Sequence, residues 1–367
     1  MKPYKVLIAT GSSGGHLLPA MTFADSLRER APCQIHFLLR RPRNWAVPAA
    51  LRTFRIHWTG GFALPRELSL ETVLFPFKFL VNFFQVMGVL LVERPDLVVG
   101  FGGYVSFPAV LLGRLFGSRT LIHEQNRVFG KANRILSRIT DRVALSFPIK
   151  GEKSSRFEVT GNILRPAIVK KCEKALYLPP VPTDKFNILL LGGSQGAKHL
   201  NFIFLEALKG LGEDELSQFR IKHITGDLNH FEMAKAYKAF PALLEREVIP
   251  FTDTIDDCYL WSHWVLARAG AWTVFELMAF GRPSLLVPYP HADSHQIENA
   301  RFLEEGGGCE VMEESRLSPE LLRDALRSLK RSPEKFKRLA ENAKKMRILD
   351  ASAEVSRLAL SLLASRN

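Results

Sequence analysis

Cysteine is scarce in this chain. The four present, Cys33, Cys172, Cys258 and Cys309, lie far apart in 367 residues with no Cys-x-x-Cys pair. That excludes a disulfide framework and a zinc ribbon, and it fits a reducing compartment. A Walker lysine with its Ser/Thr is missing, as is an Asp-x-Asp pair that would hold a metal beside a diphosphate. No signal peptide is expected, because the N-terminus runs straight into the strand-like YKVLIAT of Tyr4–Thr10. Long apolar runs are rare. The exception, Val73–Val92, has the length of a membrane span but is broken by Pro76, Lys78, Asn82, Gln85 and Gly88. A buried core helix, or a helix with one face on the core and one on a membrane surface, suits it better than a span.

Acidic residues are thin in one half. Residues 1–163 hold 22 basic and 10 acidic side chains, a net of +12; the remainder holds 28 and 27, a net of +1. The first half is therefore the one expected to meet an anionic partner. No nucleic-acid module accompanies that charge.

Short apolar runs alternate with amphipathic stretches throughout. Val6–Thr10, Ile35–Leu39, Leu97–Gly100, Thr120–His123, Asn187–Leu191, Trp264–Ala267 and Ser284–Val287 read as buried parallel strands. Leu17–Arg30, Lys198–Leu208, Thr273–Phe280 and Ser294–Glu305 read as helices, and the tail from Pro319 as helical and charged. This is α/β architecture with parallel sheets. Residues 164–186, with Pro166, Pro179, Pro180 and Pro182, interrupt the pattern, and a strand with a Gly-rich turn follows as though the opening were repeated. Two Rossmann-like domains are expected, 1–163 and 164–347, with the cleft between them as the default site and a last helix around 348–367 packing back on the first.

Three glycine loops follow strands: Gly11-Ser-Ser-Gly-Gly-His16, Gly100-Phe-Gly-Gly-Tyr104 and Gly192-Gly-Ser-Gln-Gly-Ala197. Glycine lets a phosphate approach the backbone, and the next helix offers unpaired N–H groups and its positive dipole end. One such loop is equally well a tight turn; three favour a diphosphate ligand. Dinucleotide spacing is absent from the first and third, and Leu38-Leu39-Arg40-Arg41 offers no acidic residue for a ribose, which disfavours a dehydrogenase.

In this order along nearly the whole chain, these motifs resemble the MurG family. They are joined by His123-Glu-Gln-Asn126, Thr160-Gly-Asn162 with Arg165, Arg268-Ala-Gly-Ala-Trp-Thr-Val-Phe-Glu276 and Pro288-Tyr-Pro-His-Ala-Asp-Ser-His-Gln296. The resemblance implies a GT-B fold of two Rossmann-like domains with parallel sheets facing a central cleft. The acceptor would sit on the N-terminal domain and UDP-GlcNAc on the C-terminal one. It implies inverting transfer of GlcNAc to the C4 hydroxyl of the muramoyl sugar of lipid I, giving lipid II at the cytoplasmic face of the cell membrane, with other cell-wall synthesis proteins as further partners.

Inversion needs a base. His16 is the first candidate, with a phosphate contact as its other role; Glu124 is the rival, with loop organisation as its alternative. UDP-GlcNAc binding is expected of Ser13, Gly14, Gly15, Asn126, Arg165, Ser194, Gln195, Gly196, Ile255, Arg268, Ala271, Trp272, Thr273, Glu276 and Gln296, with Asp293 and His295 offering further polar groups. Glu276, one helical turn after Thr273, suits a ribose diol or a helix cap. Arg268 suits a phosphate or its own loop. Acceptor binding is expected of Ser12, Gly102, Gly103 and Tyr104. No cofactor is expected, save a divalent ion as diphosphate counterion. Relative to the family, Ser12 and Ser13 replace a Gly and a Thr, Ala269 replaces a Ser, Trp272 replaces a smaller apolar residue and His295 replaces a Gln. Membrane contact is expected of Leu74, Phe77, Leu80, Val81 and Phe84, rimmed by Arg40, Arg41, Arg43, Arg66 and Lys78. A transferase acting on another lipid such as diacylglycerol, and a non-catalytic UDP-sugar sensor, are the alternatives.

Overall fold

The computed structural model describes residues 2–40, 48–60, 70–149, 151, 154–181, 183–192, 197–290 and 295–365, with side chains for all of these but 70–75. The chain divides into two compact units, Met1–Arg165 with Leu349–Asn367, and Pro166–Ile348.

In the first unit the strands are β1 (Tyr4–Thr10), β2 (Cys33–Arg40), β3 (Arg55–Thr59), β4 (Leu97–Gly100), β5 (Arg119–Glu124), β6 (Arg142–Leu145) and β7 (Phe157–Val159). Among the described residues they form one parallel sheet in the order β3-β2-β1-β4-β5-β6-β7. The helices are α1 (Gly14–Arg30), α2 (Leu70–Glu93), α3 (Ser106–Leu115) and α4 (Lys131–Leu136). The second unit carries α5 (Pro166–Cys172), β8 (Phe186–Leu191), α6 (Lys198–Lys209), α7 (Glu213–Leu216), β9 (Phe219–Ile224), α8 (His230–Tyr237), β10 (Glu245–Ile249), α9 (Ile255–Trp261), β11 (Trp264–Ala267), α10 (Ala271–Phe280), β12 (Ser284–Leu286), α11 (His295–Glu305), β13 (Glu310–Val311), α12 (Pro319–Ser328) and α13 (Pro333–Lys345). Its parallel sheet runs β10-β9-β8-β11-β12-β13. The last helix, α14 (Ala351–Ala364), belongs to the first unit.

Strand alternation builds the layers. In β1 and β4, Val6, Ile8, Leu97 and Val99 face the layer of α1 and α14, meeting Phe23, Leu27, Val355 and Leu358. Leu7, Ala9 and Val98 face the other way, onto Val86 and Leu90 of α2 and Val110 and Leu112 of α3. Each fully buried Leu, Val or Phe contributes roughly 1.5–3 kcal/mol. Helix α14 is tied to α1 by Ser356 Oγ and Ser26 Oγ at 3.1 Å. In the second unit, Ile188, Leu190 and Leu266 pack with Phe204 and Leu208 of α6, Tyr237 of α8 and Leu322 and Leu326 of α12.

In both units the strand order reverses at one point, between β1 and β4 in the first and between β8 and β11 in the second. The carboxyl ends of the two strands at such a point leave a crevice that ligands use in open α/β sheets.

Helix α2 is long and apolar enough over Pro76–Glu93 to cross a membrane by length and composition, and only 22% of that stretch is buried. Asn82, Val86, Leu90 and Glu93 form its buried stripe. Phe77, Leu80, Val81, Phe84 and Leu91 form an exposed stripe at helical spacing. The sequence alone could not choose a face; packing on β1, β2 and β4 does.

Candidate active site

The first unit's reversal point gathers three of the sequence motifs. The loop after β1 and the loop after β4 are joined by the Gly11 N–H donating to the Gly102 carbonyl at 3.2 Å, and the Phe101 N–H donates to Ala9 at 2.9 Å. Ser106, buried at the head of α3, donates to the carbonyls of both Ala9 and Gly102. Gly102 and Gly103 take φ of +87° and +80°. A Cβ on Gly102 would lie 2.9 Å from His16 Cε1, and one on Gly103 would lie 3.0 Å from the Gly11 backbone. These two glycines are therefore demanded both by backbone conformation and by the close approach of the neighbouring loop.

Helix α1 begins earlier than the apolar pattern indicates. Its N-cap is Ser13, with extended φ and ψ, so Gly14, Gly15 and His16 form its first turn rather than the end of a loop. The Ser13 hydroxyl makes no capping hydrogen bond. Gly14 and Gly15 are exposed, and a Cβ on Gly15 would meet nothing within 4 Å. Protein packing does not require glycine there, and the start of a helix offers open N–H groups of the kind that suit an anion.

His16 is half-buried, its ring lying against Gly11 and Gly102. Its Nδ1 is buried without a hydrogen-bond partner among the described residues. Burial pushes its pKa below the ordinary histidine value, opposed by the Glu124 carboxylate and by the Phe101 backbone. A neutral imidazole at neutral pH follows, the state a base requires.

Glu124 closes β5 and is buried. Its Oε1 accepts from the Asn126 backbone at 3.0 Å and from Asn126 Nδ2 at 3.3 Å. Its Oε2 accepts from the Gly130 backbone at 3.1 Å and Asn133 Nδ2 at 2.9 Å. Four N–H groups thus converge on this carboxylate, which fixes the turn carrying Asn126 and the start of α4. His123, fully buried against Phe101 with ring centroids 5.4 Å apart, has its pKa lowered to about 4 by burial.

In the second unit, the β8/β11 reversal point places Gly192 and the start of α10 on adjacent strands. Ala271, Trp272 and Thr273 form the first turn of α10 behind the N-cap Gly270. Glu276, one turn on, is buried and accepts from the Tyr259 hydroxyl at 2.9 Å. Arg268 ends β11. Its Nη1 donates to the Val287 carbonyl at 3.1 Å, its Nη2 meets Glu314 Oε1 at 2.5 Å, and its guanidinium lies over Tyr289. Burial alone would raise the Glu314 carboxyl, but hydrogen bonds from Arg268 and His199 outweigh it and hold the pKa low. Arg268 thus holds the loops after β11 and β12. Gln296, in α11, accepts from the Tyr289 backbone at 2.9 Å, and Ile255 opens α9.

The structure therefore brings Ser12, Ser13, Gly14, Gly15, His16, Gly102, Gly103, Tyr104, Glu124 and Asn126 to one sheet edge of the first unit. Arg268, Ala271, Trp272, Thr273 and Glu276 gather at one edge of the second. Arg165 is half-buried at the end of the first unit. Ser194, Gln195, Gly196, Asp293, Arg41, Arg43 and Arg66, and the side chain of Leu74, lie outside the described residues.

Several positioning residues escaped the sequence reading: Asn133, Tyr259 and Glu314 carry no motif, and three-dimensional proximity alone reveals them; Ser106 closes the motif Gly100-Phe-Gly-Gly-Tyr-Val-Ser106 but had no role assigned to it. Asn162 stood in a motif without a role. It is fully buried, with neither amide atom hydrogen-bonded among the described residues.

Residues 6–145 match the glycosyltransferase family 28 N-terminal domain, and residues 187–355 the glycosyltransferase family 28 C-terminal domain. A Methylococcus capsulatus protein named UDP-N-acetylglucosamine--N-acetylmuramyl-(pentapeptide) pyrophosphoryl-undecaprenol N-acetylglucosamine transferase is 34% identical over 359 residues, 97% of this chain and 98% of that one. Its namesake in Desulfotalea psychrophila is 33% identical over 359 residues, 96% of this chain and 95% of that one. Among solved structures, Acinetobacter baumannii MurG aligns with a TM-score of 0.75 at 31% identity, covering 97% of this chain and 99% of that one.

Proposed function

The chain belongs to the MurG family within glycosyltransferase family 28, and from that membership we propose how its two reversal points share one reaction. It is a GT-B glycosyltransferase that moves GlcNAc from UDP-GlcNAc onto lipid I in peptidoglycan synthesis. Beyond this, we assign the transfer to an inverting displacement at the C4 hydroxyl of the muramoyl sugar. The hydroxyl oxygen attacks the anomeric carbon of GlcNAc, the bond to the diphosphate oxygen breaks, and His16 takes the hydroxyl proton while UDP leaves.

The observation that carries this assignment is the seat of His16. A neutral imidazole stands on a cradle of positive-φ glycines at the start of a helix, beside the Phe101 backbone. Glu124, already accepting four N–H groups, suits the role of loop organiser. In the second unit the start of α10 supplies N–H groups and dipole for the leaving diphosphate, Glu276 accepts from the ribose, and Gln296 reads the sugar. Ser194 to Gly196 and Arg165 complete the diphosphate contacts in this reading. In this reading N–H groups and cations of the chain meet the diphosphate charge, with a divalent counterion able to join them.

Lipid I is anchored in a membrane. The exposed Phe77, Leu80, Val81 and Phe84 stripe, on the unit with the basic excess, supports a peripheral contact with an anionic surface. Transfer of radiolabelled GlcNAc to a lipid I analogue, with diacylglycerol in parallel, tests the acceptor. Labelled lipid I alone is the expected result; labelled diacylglycerol would replace this reading.

A further inference from the structure

Glu93 is out of place by ordinary patterning. It falls one turn after Leu90 on the buried stripe of α2, and it is 7% exposed. A carboxylate on a core-facing position is costly unless partnered. What it meets is two histidines from neighbouring strands. The β2/β3 register aligns Leu38 with His57, so His36 and His57 point to the same sheet face, the one α2 covers.

The three side chains converge on a common point. His36 Nδ1 lies 3.2 Å from Glu93 Oε2, His57 Nε2 lies 3.4 Å from Glu93 Oε1, and the two ring nitrogens are 3.4 Å apart. One ligand atom from each can be chosen so that all fall within 4.8 Å of one another. A tetrahedral ion with bonds of about 2.0–2.1 Å holds its ligands about 3.3–3.4 Å apart. Hydrogen bonding does not account for the cluster as well. Glu93 Oε1 is buried without a hydrogen-bond partner among the described residues, although it faces His57 and the Arg55 guanidinium.

We propose that His36, His57 and Glu93 form a binding site for a divalent transition-metal cation of the zinc class, with water as fourth ligand. Two imidazoles and one carboxylate are a donor set such ions favour. The cations nearby leave room for it. Arg55 is 61% exposed and free to turn into solvent, and the Lys5 ammonium is already spent on the backbone carbonyl of Glu93 at 3.2 Å. Sequence spacing could not show the site, because its ligands come from β2, β3 and the end of α2. The ion would staple the helix that carries the exposed apolar stripe to the edge of the sheet, apart from the transfer chemistry.

The test uses the full chain without an affinity tag, stripped by a chelator and titrated with zinc against a chromophoric competitor, alongside His57→Gln and Glu93→Gln. One zinc per chain, with affinity weakened at least about 100-fold in each variant, is the expected result. No stoichiometric zinc in the wild type, or undiminished binding in both variants, would overturn it. Should a variant fail to fold, the visible spectrum of the cobalt-loaded wild type decides. Tetrahedral bands support the site, and a weak octahedral spectrum refutes it.

Discussion

The two units share a six-strand order and its reversal point, the first adding β7 at its edge, yet they hold opposite kinds of side chain there. The first unit offers a neutral histidine in a glycine cradle, with its one nearby carboxylate absorbed by four N–H groups. The second offers an ion pair, Arg268 with Glu314, and a buried carboxylate, Glu276, bonded to Tyr259. In the proposed reading one scaffold serves two tasks, and the difference lies in residues placed on it rather than in the fold. Proton transfer suits the first set; grip on a nucleotide suits the second.

The largest expected effect breaks the first unit's cradle. In Gly102→Ala the new Cβ strains a φ of +87° and displaces His16. Left-handed backbone costs an L-residue about 1–2 kcal/mol. Turnover should fall about 100-fold or more, and UDP-GlcNAc affinity should change little; steady-state kinetics with a titration of the nucleotide sugar checks both.

Glu276→Gln addresses the second unit. Hydrogen bonds to a charged group are worth about 1.5–3 kcal/mol, so KM for UDP-GlcNAc should rise about 10–100-fold with a smaller change in kcat. An unchanged KM would assign Glu276 a structural role.

Acid should stress both units. Burial lowers His123 to about 4 in the first; it lowers His223 to about 3 and His263 to about 4 in the second. Each folded pKa lies below the ordinary 6.5, so the unfolded chain binds the proton first. Stability is therefore held above pH 6.5 and lost as pH falls toward 4. His123 accounts for about 3 kcal/mol of that loss. Denaturant midpoints between pH 7 and 4.5 measure it, and His223→Gln and His123→Gln should each flatten the slope.

The smallest effect concerns the apolar stripe. Phe84→Ser should weaken partition to anionic vesicles about 10-fold, while Leu90→Ala on the buried stripe should lower stability instead. A Phe84→Ser protein that binds vesicles as tightly as the wild type would remove the stripe from the membrane contact.

What the sequence made legible follows from what each signal depends on. Runs such as Leu97–Gly100 and Trp264–Ala267 were readable because strands buried on both faces are continuously apolar. Strands β3, β9 and β10 were not, since RIHWT, FRIKHI and EREVI carry charges at sheet edges or on half-exposed faces. The start of α1 was missed because its first turn is Gly-Gly-His, with no apolar period to reveal it. His16, Gly102, Ser106 and Glu276 stood in motifs. Asn133, Tyr259 and Glu314 reach their neighbours through folding, at positions no local pattern singles out.

The most direct test of the division of labour is His16→Ala, measured for turnover with a lipid I analogue and for UDP-GlcNAc binding in the same preparation. Loss of a positioned base predicts a kcat lower by about 10²–10⁴-fold with nucleotide-sugar affinity nearly kept. In the wild type the acid limb of kcat/KM should lie below pH 6.5, since burial lowers the His16 pKa. A variant that keeps its kcat and loses UDP-GlcNAc binding would make His16 a phosphate ligand and contradict the account.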